Sequence, residues 1–207
     1  MAEEVRVTLL GYGEGELVEK KSIFTGYASP VNSEEEAIEF IKAVKKKHGD
    51  ARHAVYAYMI GANIARYTDD GEPQGTAGIP VLDVIRKSGF TDAVIVVVRY
   101  FGGILLGAGG LVRAYSAAAK LAVDAAQIVT YRTYRQFTLT VNYTDHGKLT
   151  TLLSSADPIN DGIDYAENVK LSLALPEDKF EDFRSSVMEI TAGRAVFTDN
   201  GTRFDKQ

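Results

Sequence analysis

Apolar and polar residues alternate in short stretches of the first 128 residues, and Gly, Pro and Asp separate the stretches. Residues 5–31 and 52–61 follow the period of two that is typical of β-strands, and the first of them has room for two strands. Residues 92–98 are apolar at every position but the first. This run predicts a strand that is buried on both faces of a sheet.

Three helices are expected in the same part of the chain. Residues 32–50 have apolar positions at helical spacing, and Asn32 or Ser33 can accept hydrogen bonds from the first turn. Residues 80–89 begin with Pro and end with Gly, as many helices do. An alanine-rich helix is predicted over Leu111–Ala126, where small side chains allow close packing.

A second pattern begins near residue 129 and predicts strand, helix, two strands, helix and strand. On one face of its first strand lie four alternating residues, Phe137, Leu139, Val141 and Tyr143. The order βαββαβ is that of the split-βαβ ferredoxin-like fold. We therefore predict an α+β chain of two domains, 1–128 and 129–207, with residues 127–130 as the joint.

Composition excludes several classes of protein. The 207 residues include no Cys, so disulfides, thiol nucleophiles and cysteine-based metal centres are ruled out. No stretch reaches the roughly 18 apolar residues of a membrane helix, and the first residues do not resemble a signal peptide, so we expect a cytoplasmic protein without a membrane partner. The net charge of −5 is spread over both halves, with 14 Lys and Arg against 16 Asp and Glu in 1–128. Strong non-specific binding to a duplex is not expected from such charge.

A run of glycines precedes the alanine-rich helix: Gly102, Gly103, Gly107, Gly109 and Gly110. It lacks the Lys and Ser or Thr of a P-loop, and Val112 stands where a dinucleotide fingerprint has its third glycine. Two interpretations stay open. The free N–H groups of the helix start, with Arg113 and Arg99 nearby, can bind an anion, or the glycines only allow a tight corner between a strand and a helix.

Residues 66–78 are predicted to form a loop because Asp-Gly, Pro and repeated Gly break regular structure. Asp69, Asp70 and Glu72 can hold magnesium or act as acid and base, but a turn with solvated charges is the simpler interpretation. If this loop lies beside the glycine run, one site would combine these acids and Thr76 with three residues of the other segment, Arg99, Tyr100 and Arg113.

The three histidines, His48, His53 and His146, do not have the spacing of a metal site, and a structural role is predicted for each. His48 comes at a helix end, where a cation is favoured. The run Lys45–Lys47 is read as a solvated helix end.

Residues 20–37, 66–85 and 96–119 resemble the IMPACT family, which includes the YigZ-type proteins of bacteria. The resemblance covers nearly the whole chain, because the second unit is similar to the C-terminal domain of many bacterial members. It implies a first domain like domain IV of elongation factor G, with a left-handed βαβ crossover, and a ferredoxin-like second domain. Eukaryotic relatives regulate translation with a different partner domain, so their role is not transferred directly.

The resemblance implies no catalytic residue, cofactor or metal. It marks these candidate binding positions: Asp69, Asp70, Gly71, Glu72, Pro73, Gly75, Thr76, Arg99, Tyr100, Phe101, Gly102, Gly103, Gly107, Gly109, Gly110 and Arg113.

Two functions follow as hypotheses. The first is a non-enzymatic protein that binds RNA, the ribosome or a translation-associated protein, supported by neighbouring basic and aromatic residues such as Arg66 and Tyr67. The second is an enzyme or sensor that binds a small phosphorylated ligand at the glycine run. The sequence leaves enzymatic activity open and favours the binding protein.

Overall fold

The computed structural model describes residues 5–206, which form ten strands and five α-helices. The strands are β1 (Val5–Leu9), β2 (Gly13–Glu19), β3 (Ser22–Pro30), β4 (His53–Ile60), β5 (Ile64–Thr68), β6 (Ala93–Tyr100), β7 (Ile128–Val141), β8 (Ile159–Tyr165), β9 (Val169–Pro176) and β10 (Val196–Lys206). The helices are α1 (Glu34–Lys47), α2 (Gly78–Ser88), α3 (Ala108–Ala126), α4 (Tyr143–Ala156) and α5 (Phe180–Ile190). None of these helices is long and apolar enough to cross a membrane.

The chain divides into two compact units. The first unit is Arg6–Thr130, and the second contains the described residues from Tyr131 onward together with Val5. The fold class is confirmed: both units combine helices with antiparallel strands, and the second has the βαββαβ order of a ferredoxin-like fold.

The first unit is built on an antiparallel sheet with the strand order β2-β3-β6-β4-β5. Its central strand β6 is buried on both faces, as its apolar run predicts, because alternate side chains belong to two different cores. Ala93, Ile95 and Val97 pack with α2 and α3, whereas the even-numbered valines between them pack with α1. The sheet therefore lies between helices on both sides.

This arrangement requires a left-handed crossover. The pairings make β3 parallel to β4 and β5 parallel to β6, and the connections through α1 and α2 run in opposite directions across the sheet. A half-turn of the sheet in its own plane places one connection on the other. The two connections therefore have the same hand only if their helices lie on the same face of the sheet. Since α1 and α2 lie on opposite faces, the two crossovers have opposite hands, and one of them is left-handed, an exception to the usual rule.

Helix α3 approaches the sheet closely because both surfaces have small residues. A Cβ atom at Gly26 would lie 2.3 Å from the backbone oxygen of Ala118, and one at Gly13 would lie 2.1 Å from that of Ala122. These glycines permit the contact with the alanine-rich helix that its composition predicted.

Several predicted boundaries are wrong. Residues 5–31 form three strands, because a turn after Leu9 precedes the hairpin of β2 and β3. The predicted loop over 66–78 begins inside strand β5, which pairs with β4. Helix α3 starts at Ala108, three residues before the expected Leu111, although glycines occupy its first turn. Tyr143 opens α4 instead of ending β7, because Asn142 caps the helix.

In the second unit, β7–β10 form an antiparallel sheet with the order β10-β7-β9-β8. Both α4 and α5 pack on the same face, over a core that includes Phe137, Leu139 and Leu149. Short polar side chains occupy alternate positions of β7, such as Thr138 and Thr140, on the opposite face.

Candidate functional site

The acidic loop connects β5 to α2, and its first acid holds the start of that helix. One oxygen of the Asp69 carboxylate accepts hydrogen bonds from the N–H groups of Ala77 (3.1 Å) and Gly78 (2.8 Å), and the other accepts from Gly75 (2.8 Å). The N-cap residue, Ala77, forms no capping hydrogen bond with its own side chain. Asp69 therefore caps the helix from a distance and is not a solvated turn charge.

Asp70 fixes the position and tautomer of His53. Its carboxylate accepts from the N–H of Ala54 at 2.7 Å and from Lys45 at 3.1 Å. Its backbone oxygen lies 2.7 Å from Nδ1 of His53. Because a carbonyl only accepts, Nδ1 carries a proton, and the second ring nitrogen, Nε2, lies 4.0 Å from Oε1 of Glu72.

Glu72 is a buried carboxylate with only 4% of its side chain exposed. Its Oε1 atom accepts from Nη1 of Arg99 at 2.5 Å and from the Tyr115 hydroxyl at 2.8 Å. Burial raises the pKa of Tyr115, and the neighbouring Glu72 charge raises it further, so the hydroxyl stays protonated and donates. The ion pair and this hydrogen bond together compensate the burial of the charge.

Arg99 stands near the end of β6 with 7% of its side chain exposed. Its guanidinium carbon lies 5.3 Å from the centre of the Phe24 ring and 5.5 Å from that of Phe101. The Nε atom is buried and has no hydrogen-bond partner. The arginine is thus held by aromatic rings and a single carboxylate oxygen.

These groups surround a cleft of about 250 Å³. It is lined by Arg52, His53, Gly71, Glu72, Arg99, Phe101 and Leu105. The outer wall belongs to the loop after β6, where Phe101 is 41% exposed and Leu105 82% exposed. The cleft therefore combines two arginines, a histidine, one carboxylate and an apolar rim.

Other predicted positions of the two loops shape the backbone, and of these Gly71 lines the cleft. The Thr76 hydroxyl donates to the Pro73 carbonyl at 2.6 Å and closes the turn before α2. Gly71 and Gly75 have positive φ angles that favour glycine. Gly102 is required by a close approach, because a Cβ there would lie 2.0 Å from the backbone carbon of Lys21.

Tyr100 does not join the cleft. Its hydroxyl donates to Asp50 at 3.0 Å, so it accepts from Nδ1 of His48 at 2.9 Å, and Nε2 of the same ring accepts from Tyr27 at 2.6 Å. Burial lowers the pKa of His48, and Lys47 lowers it further. At this helix end, where the helix dipole favours a cation, the His48 ring is thus enclosed by two hydroxyls and its pKa is lowered.

Gly110 of the glycine run and Arg113 border a different pocket. Gly107 caps α3 with a φ of 72°, Gly109 and Gly110 lie in its first turn, and no side chain caps these amides. A pocket of about 260 Å³ here is lined by Leu17, Glu19, Lys20, Leu106, Gly110, Arg113, Ala114 and Ala117. Gly103, with a positive φ, lies in the loop between the two pockets. The single site that the sequence suggested, with Arg99 and Arg113 on one rim, is thus divided in two.

Sequence reasoning missed three residues of the cleft lining, Arg52, His53 and Leu105. It also missed Tyr115, which supports Glu72. Tyr115 had a usable signal, since it is the one aromatic residue in the alanine-rich stretch 108–126. A buried tyrosine needs a hydrogen-bond partner for its hydroxyl. No comparable pattern marks His53, whose partners come from a loop 17 to 19 residues later.

No group of three or more His, Asp or Glu residues in the described range 5–206 is arranged to hold a metal ion. The carboxylates that the sequence offered for magnesium already accept hydrogen bonds from backbone amides, Lys45, Arg99 or Tyr115.

Comparisons with known proteins agree with this architecture. The Impact N-terminal domain matches residues 20–123, and a domain of unknown function (DUF1949) matches residues 139–194. The IMPACT family member YvyE of Bacillus subtilis is 40% identical over 185 residues, covering 88% of this chain and 85% of its own length. The IMPACT family member YigZ of Escherichia coli is 37% identical over 180 residues, 84% of this chain and 87% of the relative. A crystal structure of a hypothetical protein matches 94% of this chain and 96% of its own, with a TM-score of 0.60 at 32% identity.

Proposed function

The chain belongs to the IMPACT family, and from this premise we propose that it is a non-enzymatic protein that binds unpaired RNA in or near translation. The link to translation rests on the family resemblance. The observation that supports RNA as the partner is the exposed Phe101 ring above Arg99, at the mouth of a cleft with a second arginine, Arg52. Aromatic rings beside cations suit the stacking of unpaired bases next to their phosphates.

An exposed arginine and an exposed ring also lie on the edge strand β5 of the same unit. Tyr67 is 47% exposed, and the exposed Arg66 side chain lies 4.0 Å from Glu34 of α1. Because neighbouring strand residues point to opposite faces of a sheet, these two side chains do not form one stacking and phosphate pair.

The corresponding pairs of the second unit are engaged in structural contacts. Arg135 pairs with Glu177 and with Asp199, and the neighbouring Tyr134 ring is buried. The polar face of its sheet is lined by Thr138, Thr140, Gly162, Ile163, Asp164, Lys170, Ser172 and Thr198, none of them aromatic. Ferredoxin-like domains that bind RNA on a sheet stack bases on aromatic residues of that face. We therefore assign the binding to the first unit.

Binding of the full chain to a fluorescent single-stranded RNA, measured by anisotropy at several salt concentrations, tests the proposal. We expect affinity to fall with salt, with a slope of about −0.7 in log K against log salt for each phosphate contacted. Phe101→Ala should weaken binding by about 1–3 kcal/mol, the usual contribution of one stacked base. Tyr165→Ala, at a ring in the second unit that is 59% exposed against 41% for Phe101, is the control and should leave binding unchanged. Absence of binding at low salt, or binding that ignores salt, would refute the function.

A further inference from the structure

Arg99 has an unused edge. Its Nη1 atom donates to Glu72, but neither Nε nor Nη2 forms a hydrogen bond within the described residues. These two nitrogens point their hydrogens in parallel along one edge of the guanidinium plane, and this edge pairs bidentately with carboxylates and phosphates. Buried N–H groups without a partner are rare in folded proteins and need an explanation.

Other arginines of the chain show the same edge occupied. Nε and Nη2 of Arg194 lie 2.9 and 2.7 Å from the two oxygens of Asp145, and Arg135 meets Glu177 in the same way. Two further buried Nε atoms without a hydrogen bond, in Arg6 and Arg203, each lie within 3.2 Å of a carboxylate. Within residues 5–206, Arg99 is therefore the arginine whose buried Nε has neither a hydrogen bond nor a carboxylate beside it.

The surroundings of this edge favour an anion. Arg52 lines the same cleft, is exposed, and forms no ion pair with a described residue. Glu72 is the one carboxylate of the lining, and its Oε1 is neutralised by Arg99 and bonded by Tyr115. The two arginines leave a net positive charge for a ligand, and His53 adds a polar nitrogen to the wall.

The size of the cleft restricts the ligand. Its volume of about 250 Å³ is below the roughly 300–1,000 Å³ of pockets that enclose a whole drug-sized molecule. It suits one charged group of a larger ligand, with the adjoining part of that ligand on the apolar rim. Phe101, which covers Arg99 and remains partly exposed, offers a surface for a planar ring.

We propose that the free Nε and Nη2 edge of Arg99, with Arg52, binds the phosphate of a phosphate ester whose planar group packs on Phe101. The ester supplies a singly or doubly charged oxyanion with acceptor oxygens for both arginines. A neutral group offers no such charge. This site is distinct from the pocket at the start of α3. The inference rests on the proposed function only in that RNA would be the natural source of the ester.

The test is a titration of the ¹⁵N-labelled full chain with phenyl phosphate, followed through the Nε–H signals of its arginines by NMR. Arg99→Lys identifies the Arg99 signal and retains a cation for Glu72. Arg194→Lys identifies the Arg194 signal, which comes from an arginine whose Nε and Nη2 already bond Asp145. We expect the Arg99 signal to shift saturably while the Arg194 signal stays in place. Arg52→Ala, a change at an exposed residue, should weaken the binding about tenfold, as loss of one charge-assisted hydrogen bond would.

Three control ligands sharpen the result. Phenol lacks the anion and should not shift the Arg99 signal, inorganic phosphate should bind more weakly than phenyl phosphate, and benzoate measures how far a carboxylate replaces the phosphate. Benzoate binding as tight as phenyl phosphate would overturn the assignment of the ligand class. A shift matched by sodium chloride at equal ionic strength, or an Arg99 signal that never moves, would overturn the site. If Arg99→Lys fails to fold, the Arg52→Ala variant still decides: binding of phenyl phosphate weakened about tenfold supports the site, and unchanged binding overturns it.

The outcome separates this inference from the proposed function. If phenyl phosphate binds at Arg99 but no RNA binds, the phosphate site stands and the RNA function fails. If RNA binds, but neither RNA nor phenyl phosphate moves the Arg99 signal, the function stands and the site is wrong.

Discussion

Each unit buries one carboxylate against an arginine, and the two pairs are built differently. In the first unit Glu72 meets Arg99 through one nitrogen, and both side chains are buried, 4% and 7% exposed. In the second unit Asp145 meets Arg194 through two parallel hydrogen bonds, and the arginine is 52% exposed. The second geometry satisfies both partners, whereas the first leaves donors free inside a cleft.

The local contexts explain the difference. Asp145 lies in the first turn of α4, where its N–H and one oxygen bond the capping Asn142, so the carboxylate closes a helix start. Arg194 can remain hydrated on its outer side. Glu72 caps nothing, and the three groups around its Oε1 come from β4, β6 and α3. The comparison indicates that the second pair serves stability, and that the first can also serve binding.

The largest expected effect tests this contrast directly. Glu72→Ala would leave the buried Arg99 without a counter-charge and Tyr115 without an acceptor, so we expect a loss of about 3–5 kcal/mol in unfolding free energy. Asp145→Ala should cost less, because water can reach Arg194. Urea unfolding, followed by NMR signals of each unit, measures both changes. A greater loss from Asp145→Ala would reverse the comparison.

Tyr115→Phe is expected to have the next largest effect. It removes one hydrogen bond to the charged Glu72 and should cost about 1.5–3 kcal/mol in the same unfolding measurement. Tyr134→Phe is the matched control in the second unit: its ring is buried, but its hydroxyl forms no hydrogen bond with a described residue. That change should stay within about 0.5 kcal/mol. Equal costs for the two tyrosines would show that the contact with Glu72 adds no stability.

The sequence predicted the fold better than the site because periodicity reports which side chains are buried but not what they meet. The apolar run in β6 and the alternation of residues 52–61, which contain β4, each defined a strand correctly. The boundaries of α3 were less accurate, since Gly109 and Gly110 are poor helix formers and tertiary packing determines where the helix begins.

The site depended on contacts between distant segments. Glu72 and Arg99 are 27 residues apart, and the sequence brings them together only if the acidic loop lies beside the glycine run. Tyr115 is 43 residues from Glu72, the carboxylate that it bonds. The short separation of Arg113 and Arg99 in the sequence suggests a shared site. In the structure the loop between them separates two pockets, and Arg99 lines one while Arg113 lines the other. No local sequence pattern reveals this separation.

The two units should also respond to acid at different pH. The pKa of His48 is lowered by burial, so the unfolded chain takes up this proton first, and the first unit loses stability as the pH falls through about 6.5 and below. The hydrogen bond from Arg194 lowers the pKa of Asp145, whose contribution to the second unit is lost only near pH 4 and below. Lys47 adds to the shift of His48, while Asp50 and Glu14 oppose it.

We expect this loss of stability to be smaller than the loss caused by Glu72→Ala or Tyr115→Phe, because a single ring titrates. Urea unfolding of each unit between about pH 8 and pH 5 measures it. His48→Gln should remove the decline of the first unit in that range and leave the second unit unchanged. A decline that persists in the variant would assign it to other groups. NMR titration of the ring should place the pKa of His48 below its usual value of 6.5.

The smallest expected change in stability separates binding from folding at the rim of the cleft. Leu105 is 82% exposed, so Leu105→Ser should alter the unfolding free energy by no more than about 0.5 kcal/mol. The same variant should bind RNA and phenyl phosphate a few-fold less tightly, because it removes apolar surface beside the Arg99 edge. Val18→Thr, at an exposed residue that is not part of the cleft lining, is the control and should change neither quantity. If Leu105→Ser destabilises the first unit, the loop is part of its core. If it leaves both stability and binding unchanged, the rim takes no part in recognition, and the ligand contacts the arginines alone.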